Sequence, residues 1–402
     1  MLDSRTRPRS AFFRGVRRFS SQVLFAGFLG LASSCAGMST GDRGELVIVG
    51  GGLRADNALV LSAFTEGAGE RVLVLPTASG VPEESGPGTV EDLAAHADFG
   101  QSIEVLEILH TTPERADDPH YVDPIRDADA LWFTGGDQSR ITAVFRPLGV
   151  DTPAYRAMVH VLRRGGRVAG SSAGAAMMSD PMIVGGTSRA ALLDGTAGGR
   201  FELGLGMGFF PFGLVDQHFL RRGRIGRLAV ALEETDTRFG WGIADNCALA
   251  VDLEGRSGRP LGERAVLQID ARDLERDGRS RRGLRVALLS TGDTIDFATG
   301  AVVLAGHKRA LEPLDRFDAR SFVPLEPFGD DTLTHLVERL STDPTTPQRA
   351  ELDGIALVVR ADADTRFVTG DATLVGFSAT GVLLDLEVDA DAVSAARARN
   401  RR

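Results

Sequence analysis

The chain has 402 residues, a formal net charge of −10, 43% hydrophobic and 25% charged residues, two cysteines and 48 glycines. That is globular composition, long enough for two or three domains, and it excludes wholesale disorder, a collagen repeat and a disulfide scaffold. The acidic balance argues against a nucleic-acid partner, and Lys308, the only lysine, excludes a Walker P-loop and a protein-kinase core, which need lysines elsewhere.

Residues 1–36 stand apart. Arg5, Arg7, Arg9, Arg14, Arg17 and Arg18 precede an apolar run over 23–32, and Ser33-Ser34-Cys35-Ala36 follows. A basic segment, a short apolar segment and small residues describe a signal peptide. The run is shorter than the ~20 residues that span a bilayer. Cys35 after Leu31-Ala32-Ser33-Ser34 resembles a bacterial lipobox, with the leucine one place farther from the cysteine than usual. Cleavage after Ala36 is the alternative. Arg17-Arg18-Phe19 lies one register away from a twin-arginine signal. The competing reading is a disordered basic tail. The expectation is an exported protein: periplasmic, extracellular or a lipoprotein that meets the membrane only through a lipid on Cys35. Without residues 1–34 the charge falls to −15, and with a lipid on Cys35 the remaining thiol is that of Cys247.

From 45 onward the pattern changes. Residues 46–49 read as a buried strand ending in Gly50-Gly51-Gly52. Further strands are expected at 71–75, 103–109, 128–133 and 166–170, and helices at 55–65, 90–98, 139–146 and 153–164. Continuous apolar strands alternating with helices predict a parallel sheet covered on both faces. The triple glycine fails the GxGxxG frame, because Ala55 stands where the third glycine belongs. It reads as a tight turn in preference to a dinucleotide cradle.

Gly170-Ser171-Ser172-Ala173-Gly174 sits between a strand and a small-residue helix start. This is the context of a nucleophile elbow, with Ser172 as nucleophile; a serine merely capping the helix is the competing reading. A base is needed next. Of the seven histidines, His218 in Val215-Asp216-Gln217-His218-Phe219 stands between an apolar run and an arginine-rich helix. Asp245 ends the apolar run Trp241-Gly242-Ile243-Ala244 and is the candidate to orient the imidazole. The order Ser, His, Asp differs from the Ser, Asp/Glu, His order of an α/β-hydrolase, unless Asp194 is the acid. Arg221-Arg222-Gly223-Arg224-Ile225-Gly226-Arg227 places four arginines beside the base. Guanidinium forks suit substrate carboxylates, although pairing with Glu233, Glu234 and Asp236 on a solvated helix face accounts for them equally well. No zinc spacing is present and no metal or cofactor is expected.

Beyond 250 the texture turns to strands, at 263–270 and 284–305, with a short helix at 331–341 and strands at 355–361, 366–369, 372–377 and 381–387. No repeat is visible and this tail carries no catalytic motif.

Four blocks together resemble the cyanophycinases, within the serine peptidase family that includes the α-aspartyl dipeptidases. They are Thr134-Gly135-Gly136-Asp137-Gln138, the segment Gly170 to Ala175, Asp216-Gln217-His218-Phe219 with the arginine block through Leu228, and Gly242-Ile243-Ala244-Asp245-Asn246. The third block is the most specific. The resemblance covers about residues 45–310 and implies a flavodoxin-like or class I glutamine amidotransferase-like fold, α/β with a parallel sheet and a nucleophile elbow; the strand pattern beyond it adds a β-rich C-terminal extension. The organisation expected is 1–36 signal peptide, 45–310 catalytic domain and 311–402 extension. Ser172, His218 and Asp245 match the catalytic positions, with aspartate where cyanophycinases carry the longer glutamate. Gln138, Asp216, Gln217, Arg222, Arg224 and Arg227 match substrate-binding positions. The N–H groups of Gly136 and Ala173 are the oxyanion-hole candidates on geometric grounds. The implied substrate is cyanophycin, poly-aspartate with arginine on each side chain, cleaved to β-aspartyl-arginine. Other aspartyl or isoaspartyl peptides, or a non-catalytic binding module on the same fold, are the alternatives. A homodimer is compatible with the sequence.

Overall fold

The computed structural model describes residues 43–262, 264–311, 326–370 and 376–399. The leader 1–36 with Cys35, and most of the strand expected over 372–377, lie outside these residues.

In chain order the strands are β1 (Glu45–Val49), β2 (Arg71–Leu75), β3 (Ser102–Val105), β4 (Ala130–Phe133), β5 (Arg167–Ser171), β6 (Met182–Gly185) and β7 (Glu202–Gly204). There follow β8 (Leu214–Asp216), β9 (Phe239–Ile243), β10 (Cys247–Asp252), β11 (Ser257–Gly262), β12 (Val266–Asp270), β13 (Glu275–Asp277) and β14 (Ser280–Leu289). The last are β15 (Thr294–Asp296), β16 (Ala301–Val303), β17 (Arg309–Ala310), β18 (Gln348–Leu352), β19 (Ile355–Arg360), β20 (Arg366–Thr369) and β21 (Ser378–Val388). The helices are α1 (Ala58–Thr65), α2 (Pro82–Ala94), α3 (Pro119–Asp127), α4 (Gln138–Phe145), α5 (Pro153–Arg163), α6 (Ala173–Ala176), α7 (Ser188–Asp194), α8 (Ile225–Glu234), α9 (Thr332–Thr342) and α10 (Ala390–Arg399).

Successive side chains of β1 point to opposite faces, and both faces are apolar. Leu46 and Ile48 join the core with α3–α5, whereas Val47 and Val49 join the core with Val60, Leu61 and Phe64 of α1. The sheet order is β16-β15-β11-β10-β1-β5-β4-β2-β3, with β1, β5, β4, β2 and β3 parallel. Strands β3-β2-β4-β5 reproduce the 2-1-3-4 order of a flavodoxin-like sheet, and β1 takes the fifth place. On its far side β1 pairs antiparallel with β10. The carboxyl ends of β1, β4 and β5 lead into Gly50-Gly51-Gly52, Gly135-Gly136 and Ser172, so three glycine-rich turns meet at one edge, where such sheets place their sites.

A second sheet runs β17-β20-β21-β14-β12-β9-β8. It crosses the boundary expected at 310/311. Strand β21 pairs with β14, and β19 pairs with β21, so the C-terminal strands complete the sheet whose far edge carries Asp216 and leads to Asp245. The described residues belong to a single unit, Gly37–Arg402. The junction is charged and buried. Lys308 Nζ donates to Asp293 Oδ1 (2.7 Å), Ser290 Oγ (2.8 Å) and Ser378 Oγ of β21 (2.9 Å). Cys247 is buried, and its Sγ accepts from Arg264 N–H (2.9 Å). No helix among the described residues is long and apolar enough to cross a membrane.

Candidate active site

Strand β5 ends in a turn too tight for ordinary residues. A Cβ on Gly170 would stand 2.3 Å from the Gly174 carbonyl oxygen, and one on Gly174 would stand 2.6 Å from that of Phe133. Between these glycines Ser172 adopts φ 56°, ψ −106°, a strained conformation held by its N–H to Val49 O (3.0 Å) and by Ala175 and Ala176 N–H groups on its carbonyl. Strain of this kind persists where the surroundings over-determine it. It lifts the hydroxyl off the sheet.

Ser172 Oγ lies 2.8 Å from His218 Nε2, and His218 Nδ1 lies 2.6 Å from Asp245 Oδ1. An ionised carboxylate only accepts, so Nδ1 carries the proton and Nε2 is left to accept from the serine hydroxyl. Burial pushes the Asp245 carboxyl upward, but the His218 hydrogen bond and charge, together with Arg221 and Arg222, outweigh it and hold the group below its ordinary value. The shorter acid therefore reaches its histidine. Asp194 takes no part; it pairs with Arg200.

The histidine and aspartate rest on the triple glycine. A Cβ on Gly50 would stand 2.1 Å from Ala244 O, one on Gly51 2.2 Å from His218 Cε1, and one on Gly52 2.9 Å from Asp245 Oδ1. Gly51 and Gly52 also have φ of 107° and 55°, open chiefly to glycine. Backbone bonds complete the support: His218 N–H donates to Gly50 O (2.7 Å) and Asn246 N–H to Gly51 O (2.8 Å). The turn seen in the sequence is thus the floor of the site. Its distance of about 165 residues from His218 along the chain's numbering hides this role. Gly51→Ala is expected to displace the imidazole and lower kcat by roughly a hundredfold, as misplacement of a reacting group by about an ångström does. Steady-state kinetics on a variant with native circular dichroism checks this.

The Gly135-Gly136 turn faces the nucleophile. A Cβ on Gly135 would approach Ser172 Cβ to 3.3 Å, and Gly136 at φ 144° passes so close to Ala78 O that a Cβ would stand 2.0 Å away. Ala173 opens α6 directly after the serine.

The expected substrate-binding set divides. Asp216 is buried and accepts from Arg227 Nε at 2.8 Å and Arg224 Nη1 at 3.3 Å. Arg227 also donates to Gly186 O (2.8 Å) and Arg224 to Gln217 O (2.6 Å). Burial drives the Arg224 guanidinium down to about 10 against the pull of Asp216, with Arg227 and Arg222 adding repulsion. Gln138 spends its amide nitrogen on Ile183 O (3.0 Å) and Val184 O (2.6 Å). Gln138, Asp216, Arg224 and Arg227 thus each bond to protein partners within the site. The two buried arginines need such a partner, because a buried charge left unpaired is costly. Gln217 is buried, and its Oε1 accepts nothing among the described residues. Arg222 alone of the six is exposed, and Arg221 is exposed beside it.

The fold and this hydrogen-bonded chain define a serine-type peptidase. Residues 46–256 match Peptidase family S51, and the chain belongs to that family. It is similar to cyanophycinases from Synechococcus elongatus (28% identical over 293 residues, 69% of this chain and 85% of the relative) and Nostoc sp. (29% over 282 residues, 65% and 88%). A cyanophycinase from Geminocystis herdmanii is 30% identical over 216 residues, 52% of this chain and 74% of the relative. A crystal structure of a peptidase from an acI-B1 Actinobacterium superposes with TM-score 0.46 at 21% identity, covering 64% of this chain and 98% of that one.

Proposed function

We propose that the chain hydrolyses cyanophycin as an exopeptidase and releases β-aspartyl-arginine. The observation that carries the reading is the Ser172–His218–Asp245 chain beside two exposed cations, Arg221 and Arg222, in a protein whose relatives include cyanophycinases over most of their length. Ser172 Oγ attacks the backbone carbonyl between two aspartates while His218 Nε2 takes its proton. The N–H groups of Gly136 and Ala173 receive the developing oxyanion. His218 then protonates the leaving amine, and the same nitrogen activates the water that releases the acyl group. Arg221 and Arg222 meet carboxylates of the polymer.

Incubation of the purified chain with cyanophycin should release β-aspartyl-arginine, read by mass spectrometry. Release of none, with turnover of isoaspartyl dipeptides instead, would transfer the reading to other aspartyl peptides. Residues 1–36 serve export in this proposal. A mature N-terminus beginning at unmodified Gly37 would exclude a lipid on Cys35.

A further inference from the structure

The turn from His218 to Arg224 has an outer surface that the parallel-sheet unit does not cover. Inside, it is knitted by Phe219 N–H to Ile243 O (3.1 Å), Arg222 N–H to His218 O (3.1 Å) and Arg224 N–H to Phe219 O (3.0 Å). Outside, residues 326–333 lie against it. The fit is of backbone on backbone: a Cβ on Gly223, itself at φ 51°, would stand 2.1 Å from the Phe328 carbonyl oxygen, and one on Gly226 would stand 3.3 Å from the Phe328 ring. Asp331 N–H donates to Leu220 O (3.2 Å).

The covering segment is tied by its own hydrogen bonds. Glu326 O accepts from Gly329 N–H (3.2 Å) and from Thr332 Oγ1 (3.0 Å). Asp331, at φ 54°, holds Arg264 through its carboxylate (2.7 Å). Arg264 N–H in turn donates to Cys247 Sγ (2.9 Å), two residues beyond Asp245. Leu333, Leu336 and Val337 of α9 share one buried cluster with Phe219, Leu220 and Ile225. The segment thus grips the histidine's turn at Leu220 and Gly223 and, through Arg264, the loop that follows the aspartate.

We propose that residues 326–333 position the catalytic histidine, so that the C-terminal extension is a working part of the active site. The proposal rests on His218 being the base. A histidine at φ 48° in a turn that carries the exposed Arg221 and Arg222 needs support from both sides. The glycine floor supplies one side and this segment the other. Phe328 and Asp331 are positioning residues, since neither is in contact with Ser172, His218 or Asp245 in the hydrogen-bond network described above.

Phe328→Ala and Asp331→Asn test this. The second keeps a residue that tolerates a positive φ and removes only the ion pair with Arg264, so it decides the matter should the first fail to fold. Each is expected to lower kcat by roughly ten- to a hundredfold, to leave KM within about twofold, and to broaden or shift the downfield proton resonance of His218 Nδ1–H. Arg349→Ala, which breaks surface pairs with Glu351 and Glu387 elsewhere in the extension, should leave kcat and the resonance unchanged. Wild-type kcat and resonance in both test variants, with only the melting temperature lowered, would overturn the proposal and reduce the segment to a stabilising one. Turnover surviving in Ser172→Ala is a separate outcome that defeats the active-site reading itself.

Discussion

Ser172→Ala abolishes turnover of the peptide substrate, with kcat falling by roughly 10⁴- to 10⁶-fold. The size follows from what the hydroxyl does. It is the only group 2.8 Å from His218 Nε2 in the described chain Ser172–His218–Asp245, and without it the imidazole has no nucleophile to deprotonate. Binding and the backbone N–H groups of Gly136 and Ala173 persist, so a small residual rate above water is expected. The strained backbone at φ 56° is tolerated no better by alanine than by serine, so the variant should melt within about a degree or two of the parent, a difference typical of neutral substitutions. Fluorophosphonate labelling, present in the parent and lost in the variant, accompanies the kinetics. An unchanged rate would remove Ser172 from the mechanism.

Lys308→Ala destabilises the fold by about 3–5 kcal/mol, the usual cost of leaving one member of a buried pair uncompensated. The environment allows no easy relief. Asp293 is fully buried, and its oxygens accept from Lys308, Ser290 N–H (3.1 Å), Ala305 N–H (2.9 Å) and Ser378 Oγ (2.5 Å). Removing the ammonium leaves those donors in place but strands a carboxylate inside the protein. Urea unfolding should show a lower midpoint with an unchanged slope. The double replacement Lys308→Met with Asp293→Leu should recover little of the loss, since it takes the acceptor from the Ser290 and Ala305 N–H groups.

Much of the catalytic unit was legible from local signals. The strands at 46–49, 71–75 and 166–170 and the helix at 153–164 fall within a few residues of β1, β2, β5 and α5, because fully buried parallel strands write continuous apolar runs. Two elements were misplaced. The helix expected over 90–98 is α2, Pro82–Ala94. Gly86, Pro87 and Gly88 disguise its first half, which tertiary packing holds helical against propensity. The strand expected over 103–109 ends at Val105 as the edge of its sheet.

The site was legible as residue types and chain order, since an elbow, a histidine and a strand-ending carboxylate each carry a local pattern. Partner choice was not. Asp216 meets Arg227 across a turn and part of a helix, and nothing in spacing says whether an arginine faces an internal carboxylate or a substrate. The same limit hid the C-terminal strands' place. Pairing of β21 with β14 joins residues about a hundred positions apart, and such non-local contacts leave no trace in a window of neighbouring residues.

The burial of Lys308 has a practical side. Its side chain is 1% exposed, and the chain has no other lysine. Amine-directed reagents therefore find no lysine side chain to acylate on the folded protein, and lysine-to-lysine cross-links between copies should not form. The same burial makes Lys308 a reporter. Its acylation over time, read by peptide mapping apart from that of the α-amino terminus, would measure how often the seam with β21 opens.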